Sequence, residues 1–81
     1  MAKVSILVVE DESIVARDIQ QSLKKLGYEV LDICGTGEDA MAKAEQLKPD
    51  LILMDIMLKG AIGGIEAADY IRSKFNIPII F

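Results

Sequence analysis

Four short apolar runs, Val4 to Val9, Glu29 to Cys34, Leu51 to Met54 and Ile77 to Phe81, alternate with three stretches whose apolar residues recur at helical spacing. This β-α-β-α-β-α-β rhythm constrains the chain more than any other feature. Strands separated by helices do not pair as hairpins; they run parallel through right-handed crossovers, which places helices on both faces of one sheet. With 81 residues, 52% of them hydrophobic, the chain has room for one domain and no second.

The first and third runs are almost continuous in Ile, Leu and Val, as central parallel strands covered on both faces require. The second carries Glu29 and Asp32 and reads as an edge strand. In the first helical stretch Val15, Ile19, Leu23 and Leu26 form the predicted buried stripe, with Ser13 as cap and Gly27 past the last turn. The second helix is expected after Thr36, buries Ala40, Ala44 and Leu47, and ends before Pro49. The third runs from about Ile65 to Phe75, presents Ile65, Ala68, Ile71 and Phe75, and leaves Ile79, Ile80 and Phe81 for a last strand.

Residue types that are missing narrow the chemistry. The chain has no histidine, so a Ser-His-Asp triad, a Cys-His pair, an imidazole base and a His-ligated metal are excluded. Cys34 stands alone in an apolar stretch, where it reads as a buried structural thiol, and this cysteine usage fits a reducing cytoplasm. Thirteen acidic and nine basic residues give a net charge of −4 with no basic run, which argues against direct nucleic-acid binding. The N-terminus is too short in apolar residues and too acidic for a signal peptide, and no stretch approaches the roughly 18 apolar residues of a membrane span.

Two strand orders compete. If strand 1 lies between strands 2 and 3, a crevice opens at the carboxyl ends of strands 1 and 3, where ligands of such sheets bind. Those ends carry Glu10, Asp11 and Glu12 on one side and Asp55 on the other. Crowded carboxylates raise one another's pKa unless a cation compensates, and oxygen-only ligands suit Mg²⁺. Helix capping accounts for Glu12 and Ser13 without any ligand. Asp55 instead closes a buried run and is followed by a loop. A carboxylate there could attack the phosphorus of a phosphoryl donor, and the Met57 carbonyl could ligate the metal. A dinucleotide site would need its glycine-rich turn after strand 1, where this chain has acids, and Gly35-Thr36-Gly37 reads as a turn and helix cap. Gly60, Gly63 and Gly64 are expected to provide backbone freedom in the loop after Asp55.

Three blocks, Ile6-Leu7-Val8-Val9-Glu10-Asp11-Glu12, Pro49-Asp50-Leu51-Ile52-Leu53-Met54-Asp55-Ile56-Met57-Leu58 and Gly64-Ile65-Glu66, together resemble a response-regulator receiver domain. The resemblance runs over the whole chain and implies a flavodoxin-like, doubly wound parallel sheet of order 2-1-3-4, with residues 1–81 as the N-terminal part of the domain. It implies Asp55 as phosphoacceptor, and Mg²⁺ held by Glu10, Asp11, Asp55 and the Met57 carbonyl. A histidine kinase or phosphotransfer protein is implied as donor, in a phosphoacceptor rather than an enzyme. Lys59 stands where the family often has proline, and Gly63 where it often has an acid or serine. The family's Ser/Thr past strand 4, its Lys after strand 5, its fifth strand and its last helices have no counterpart among the 81 residues, so the chain alone is expected to label poorly. The alternative is a self-associating interaction module that keeps the acidic pocket and forms a homodimer through the apolar strand 4 edge.

Overall fold

The computed structural model describes residues 3–58 and 60–81, so Lys59 lies outside the described residues. The elements follow the alternation of the sequence: β1 (Ser5–Val9), α1 (Ser13–Lys25), β2 (Glu29–Cys34), α2 (Gly37–Leu47), β3 (Leu51–Met54), α3 (Gly64–Phe75) and β4 (Ile79–Ile80). The four strands form one parallel sheet of order β2-β1-β3-β4. Of the two competing orders, the chain adopts the one that reverses direction at β1 and opens the crevice there.

Residues 6–9 of β1 are all buried, as a strand covered on both faces must be. Leu7, Val9, Ile52 and Met54 join Cys34, Ala40, Ala44, Ala67, Ile71 and Ile77 in the core under α2 and α3. The predicted edge strand carries its own protection. Its register against β1 jumps from Ile6–Val30 to Leu7–Asp32, leaving Leu31 as a bulge, and Asp32 forms a 2.8 Å ion pair with Lys43. A bulge and a charge both discourage pairing with another sheet.

Helix limits agree closely with the sequence, and helix faces agree less well. Thr36 caps α2 as expected, its hydroxyl oxygen accepting the Asp39 N–H at 3.1 Å. Lys48, in the left-handed region at φ 47°, ends that helix ahead of Pro49. Ser13, however, is the first helical residue of α1 rather than its cap; Glu12 holds that place and makes no side-chain capping bond. The expected α1 stripe is rotated by one position. Ala16 alone is fully buried in the helix, with Ile19 and Leu23 partly covered, while Val15 and Leu26 are exposed. In α3, Gly64, Ala67, Ala68 and Ile71 face the core and Ile65 points outward. In both helices small residues hold buried positions, and their weak hydropathy hides them from a reading of large apolar side chains. Leu47 is likewise exposed, and β4 stops at Ile80, one residue short of its expected end.

At the opposite end of the sheet from the crevice, β1 and β3 are tied together by a reciprocal clasp. The Ser5 N–H and hydroxyl donate to the Asp50 carboxylate at 2.7 and 3.0 Å, and the Asp50 N–H lies 3.0 Å from the Ser5 hydroxyl oxygen and 2.9 Å from the Ser5 carbonyl. These donors hold the Asp50 carboxyl below its ordinary 3.8, the Ser5 N–H contributing most. A depressed carboxyl stabilises the fold above its unfolded pKa, and that contribution disappears as pH falls through the folded value. The substitution Asp50→Asn, which removes the charge but keeps an acceptor, is therefore expected to lower Tm at pH 7. The gap between variant and wild type should close as the pH drops below 3.8, and calorimetry across pH 2 to 7 (about the range that brackets carboxylate titration) checks it.

Candidate metal and phosphoacceptor site

The sheet ladder runs directly into the site. Val9 is in register with Cys34 on one side and Met54 on the other. One step further, the Glu10 N–H donates to the Cys34 carbonyl at 2.8 Å and the Asp55 N–H to the Val9 carbonyl at 2.9 Å. Parallel register thus delivers Glu10 and Asp55 to the same end of adjacent strands, before either segment turns away. Asp11, Ser13 and α1 follow at once on the β1 side. Glu10, Asp11 and Asp55, all partly buried, each offer a carboxylate oxygen within 4.8 Å of the others. They are the set that the sequence singles out.

Local bonds shape the two turns. A Glu10 carboxylate oxygen accepts the Glu12 N–H at 3.1 Å, curling the chain from strand into helix. On the other side Asp55 Oδ1 accepts the Met57 N–H at 3.0 Å, which folds the following loop back over its own carboxylate. Glu10 is held above its ordinary 4.5, first by burial and then by the charge and hydrogen bonding of Asp55 and Asp11, against the lowering effect of the Glu12 N–H. Close acidic neighbours in a partly covered pocket are the environment a divalent cation relieves, and the donor set is all oxygen. These residues fit Mg²⁺.

The loop glycines divide by two different needs. Gly60 does adopt a positive φ, 107°, which only glycine takes readily. Gly63 has φ −78° and open space around its Cα. Gly64 serves close packing instead: a Cβ there would overlap the Asp55 carbonyl oxygen and lie 3.0 Å from the Ile56 Cα. The first turn of α3 rests on the backbone of Asp55. Spacing in a sequence does not distinguish a glycine needed for φ from one needed for space, so the expected backbone freedom is found at Gly60 and not at Gly64.

Beside the acids lies an apolar groove of about 480 Å³, on the α1 face of the sheet, lined in part by Val8, Ile19, Leu53, Ile80 and Phe81. Cys34 is buried on the other side, its thiol pushed up to about 12 by burial first and by Asp39 and Asp32 next, so it stays protonated as the structural reading expects. No helix among the described residues is long and apolar enough to cross a membrane.

A parallel 2-1-3-4 sheet with three carboxylates gathered at its switch point defines a class, and comparison with known proteins gives that class its name. The description "Response regulator receiver domain" matches residues 6–81, and the chain belongs to that family. Among curated relatives, the transcriptional regulatory protein PdtaR of Mycobacterium tuberculosis is 39% identical over 75 residues, 93% of this chain and 36% of its own length. The receiver domain of a modulated diguanylate cyclase from Desulfovibrio desulfuricans superposes with a TM-score of 0.90 at 43% identity, covering 95% of this chain and 62% of that one. PhyR of Bartonella quintana, solved in complex with the anti-sigma factor NepR, gives 0.89 at 38% identity, covering 98% and 33%. The chain therefore spans about a third of the length of curated relatives such as PdtaR. It is a receiver domain sequence of two-component signalling.

The raised Glu10 pKa yields a testable consequence. Replacing Asp55 by Asn removes the Asp55 charge that raises Glu10, so Glu10 should titrate closer to its ordinary 4.5, with the burial contribution remaining. Carboxyl-carbon NMR titration of Glu10 in wild type and Asp55→Asn measures the shift. An unchanged Glu10 titration would contradict the electrostatic coupling.

Proposed function

We propose that Asp55 accepts a phosphoryl group from a phosphohistidine on a kinase or phosphotransfer protein, with Mg²⁺ held by Glu10, Asp11, Asp55 and the Met57 carbonyl. The observation that carries this reading is the convergence of three carboxylates from two separate segments at the sheet switch point. In the transfer, an Asp55 carboxylate oxygen attacks phosphorus as the P–N bond to the donor histidine breaks. An acyl phosphate forms, and the imidazole nitrogen leaves with the electron pair. A bound Mg²⁺ supplies charge neutralisation for the transferring oxygens. Glu10 and Asp11 bind and orient, and the Met57 N–H fixes one Asp55 oxygen so that the other can face the donor. The protein's part is positioning, as phosphoryl transfer requires. The chain is a phosphoacceptor, and a protein partner downstream is supported by the PhyR relative solved with its anti-sigma factor.

The test is intact-mass measurement after incubation with a small acyl phosphate and Mg²⁺, on a receiver domain of full family length that carries these 81 residues. One phosphoryl group should be gained, and none in Asp55→Asn, whose amide lacks a nucleophilic oxygen anion. Equal labelling of the variant would assign the acceptor elsewhere.

A second reading, self-association through the β4 edge, is favoured by Ile80 and Phe81, 54% and 52% exposed beside the apolar groove. Light scattering of the 81-residue chain over a range of concentrations should then show a mass rising toward the dimer. A constant monomer mass would refute it.

A further inference from the structure

The turn between β2 and α2 lies outside the acidic cluster, yet it touches both segments that build it. A Cβ on Gly35 would sit 4.0 Å from the Asp11 Cα. Two residues on, Gly37 is buried where α2 begins, against the loop that follows β3. A Cβ there would lie 2.9 Å from the Ile62 carbonyl oxygen, 3.0 Å from its Cγ2 and 3.2 Å from its Cβ. A backbone carbonyl does not step aside as the end of a long side chain does, so the loop itself would have to move.

Nothing about the helix asks for glycine at this position. Gly37 is not among the positive-φ glycines, and alanine is the better helix former. The residue is explained by space, and the space is occupied by the loop. At that loop's far end Gly64 makes the matching close approach, to Asp55 and Ile56. Between the two jaws Leu58 and Ile62 pack against the core under α2 and α3. Gly63, next to Gly64, provides a contrast, because a methyl group added there would meet nothing within 4 Å.

We propose that Gly37 is a positioning residue for the cation site: with Gly64 as its counterpart, it lets the loop after β3 lie low enough to hold Asp55 and Met57 level with Glu10 and Asp11. This rests on the phosphoacceptor reading above. Outer supports of metal ligands, when mutated, weaken metal binding by about 10- to 100-fold. For Gly37→Ala the expected loss of Mg²⁺ affinity is at the lower end, about tenfold, because the added methyl acts through backbone and not on a ligand.

The experiment is Mg²⁺ titration of the 81-residue chain, followed by the amide shifts of residues 9–13 and 54–58. Gly37→Ala should bind about tenfold more weakly even though alanine favours α2, whereas Gly63→Ala should bind as wild type does. Gly64→Ala inserts a methyl at the loop's other close approach, should also weaken binding, and decides the matter if Gly37→Ala does not fold. Wild-type affinity in folded Gly37→Ala, or in folded Gly64→Ala, overturns the inference, even if Tm falls. A wild-type chain showing no Mg²⁺-dependent shifts at these residues overturns the phosphoacceptor reading and this inference with it.

Discussion

Everything at the functional end of this molecule depends on the parallel register of β1 with its two neighbours. Val9 faces Cys34 and Met54, and the ladder extends one bond further on each side, through the Glu10 and Asp55 amides. Because side chains alternate along a strand, a slip of one residue would send Leu7 and Val9 to the opposite face and lift Asp55 away from Glu10. With Ile6 to Val9 all buried, such a slip would also carry Ser5 or Glu10 into a buried position of β1, and that polar cost opposes it. Hydrophobic patterning therefore sets the geometry of a polar site that contains none of the patterned residues.

The same arrangement has an electrostatic cost that the fold carries in place. Glu10 lies in a partly covered pocket beside Asp55 and Asp11 and is held above its ordinary pKa. Two acids elsewhere have local compensation: Asp32 has Lys43, and Asp50 has the N–H and hydroxyl of Ser5. Both of those carboxyls are held low. The direction of the Glu10 shift thus separates an acid crowded by like charges from acids that brace the sheet, and it is the direction a divalent cation would reverse.

Much of this is legible in the sequence. Strand and helix limits follow from apolar runs and from Thr36 and Pro49, and Glu10, Asp11 and Asp55 stand out because acids close two otherwise apolar strands. Less legible are the features made by small residues. Ala16, Ala67, Gly37 and Gly64 are buried because backbone comes close to backbone or sheet there, and such closeness has no hydropathic signature. The choice between two strand orders is likewise beyond local pattern, since it depends on which strand edges meet. The exposure of Val15, Leu26 and Ile65 shows the complementary limit: a helical period fixes which residues share a face, and only a neighbouring element decides whether that face is covered.

One register, then, brings three carboxylates to one end of the sheet, and the proposed cation site rests on them. Crystals of the chain grown or soaked with Mn²⁺, an anomalous scatterer that substitutes for Mg²⁺, test this most directly. A single anomalous peak is predicted at the carboxyl ends of β1 and β3, with oxygens of Asp11, Asp55 and Met57 at about 2.1 Å and Glu10 bound directly or through water. A peak at another acidic patch, or full Mn²⁺ occupancy with none of these oxygens in its coordination shell, would contradict it.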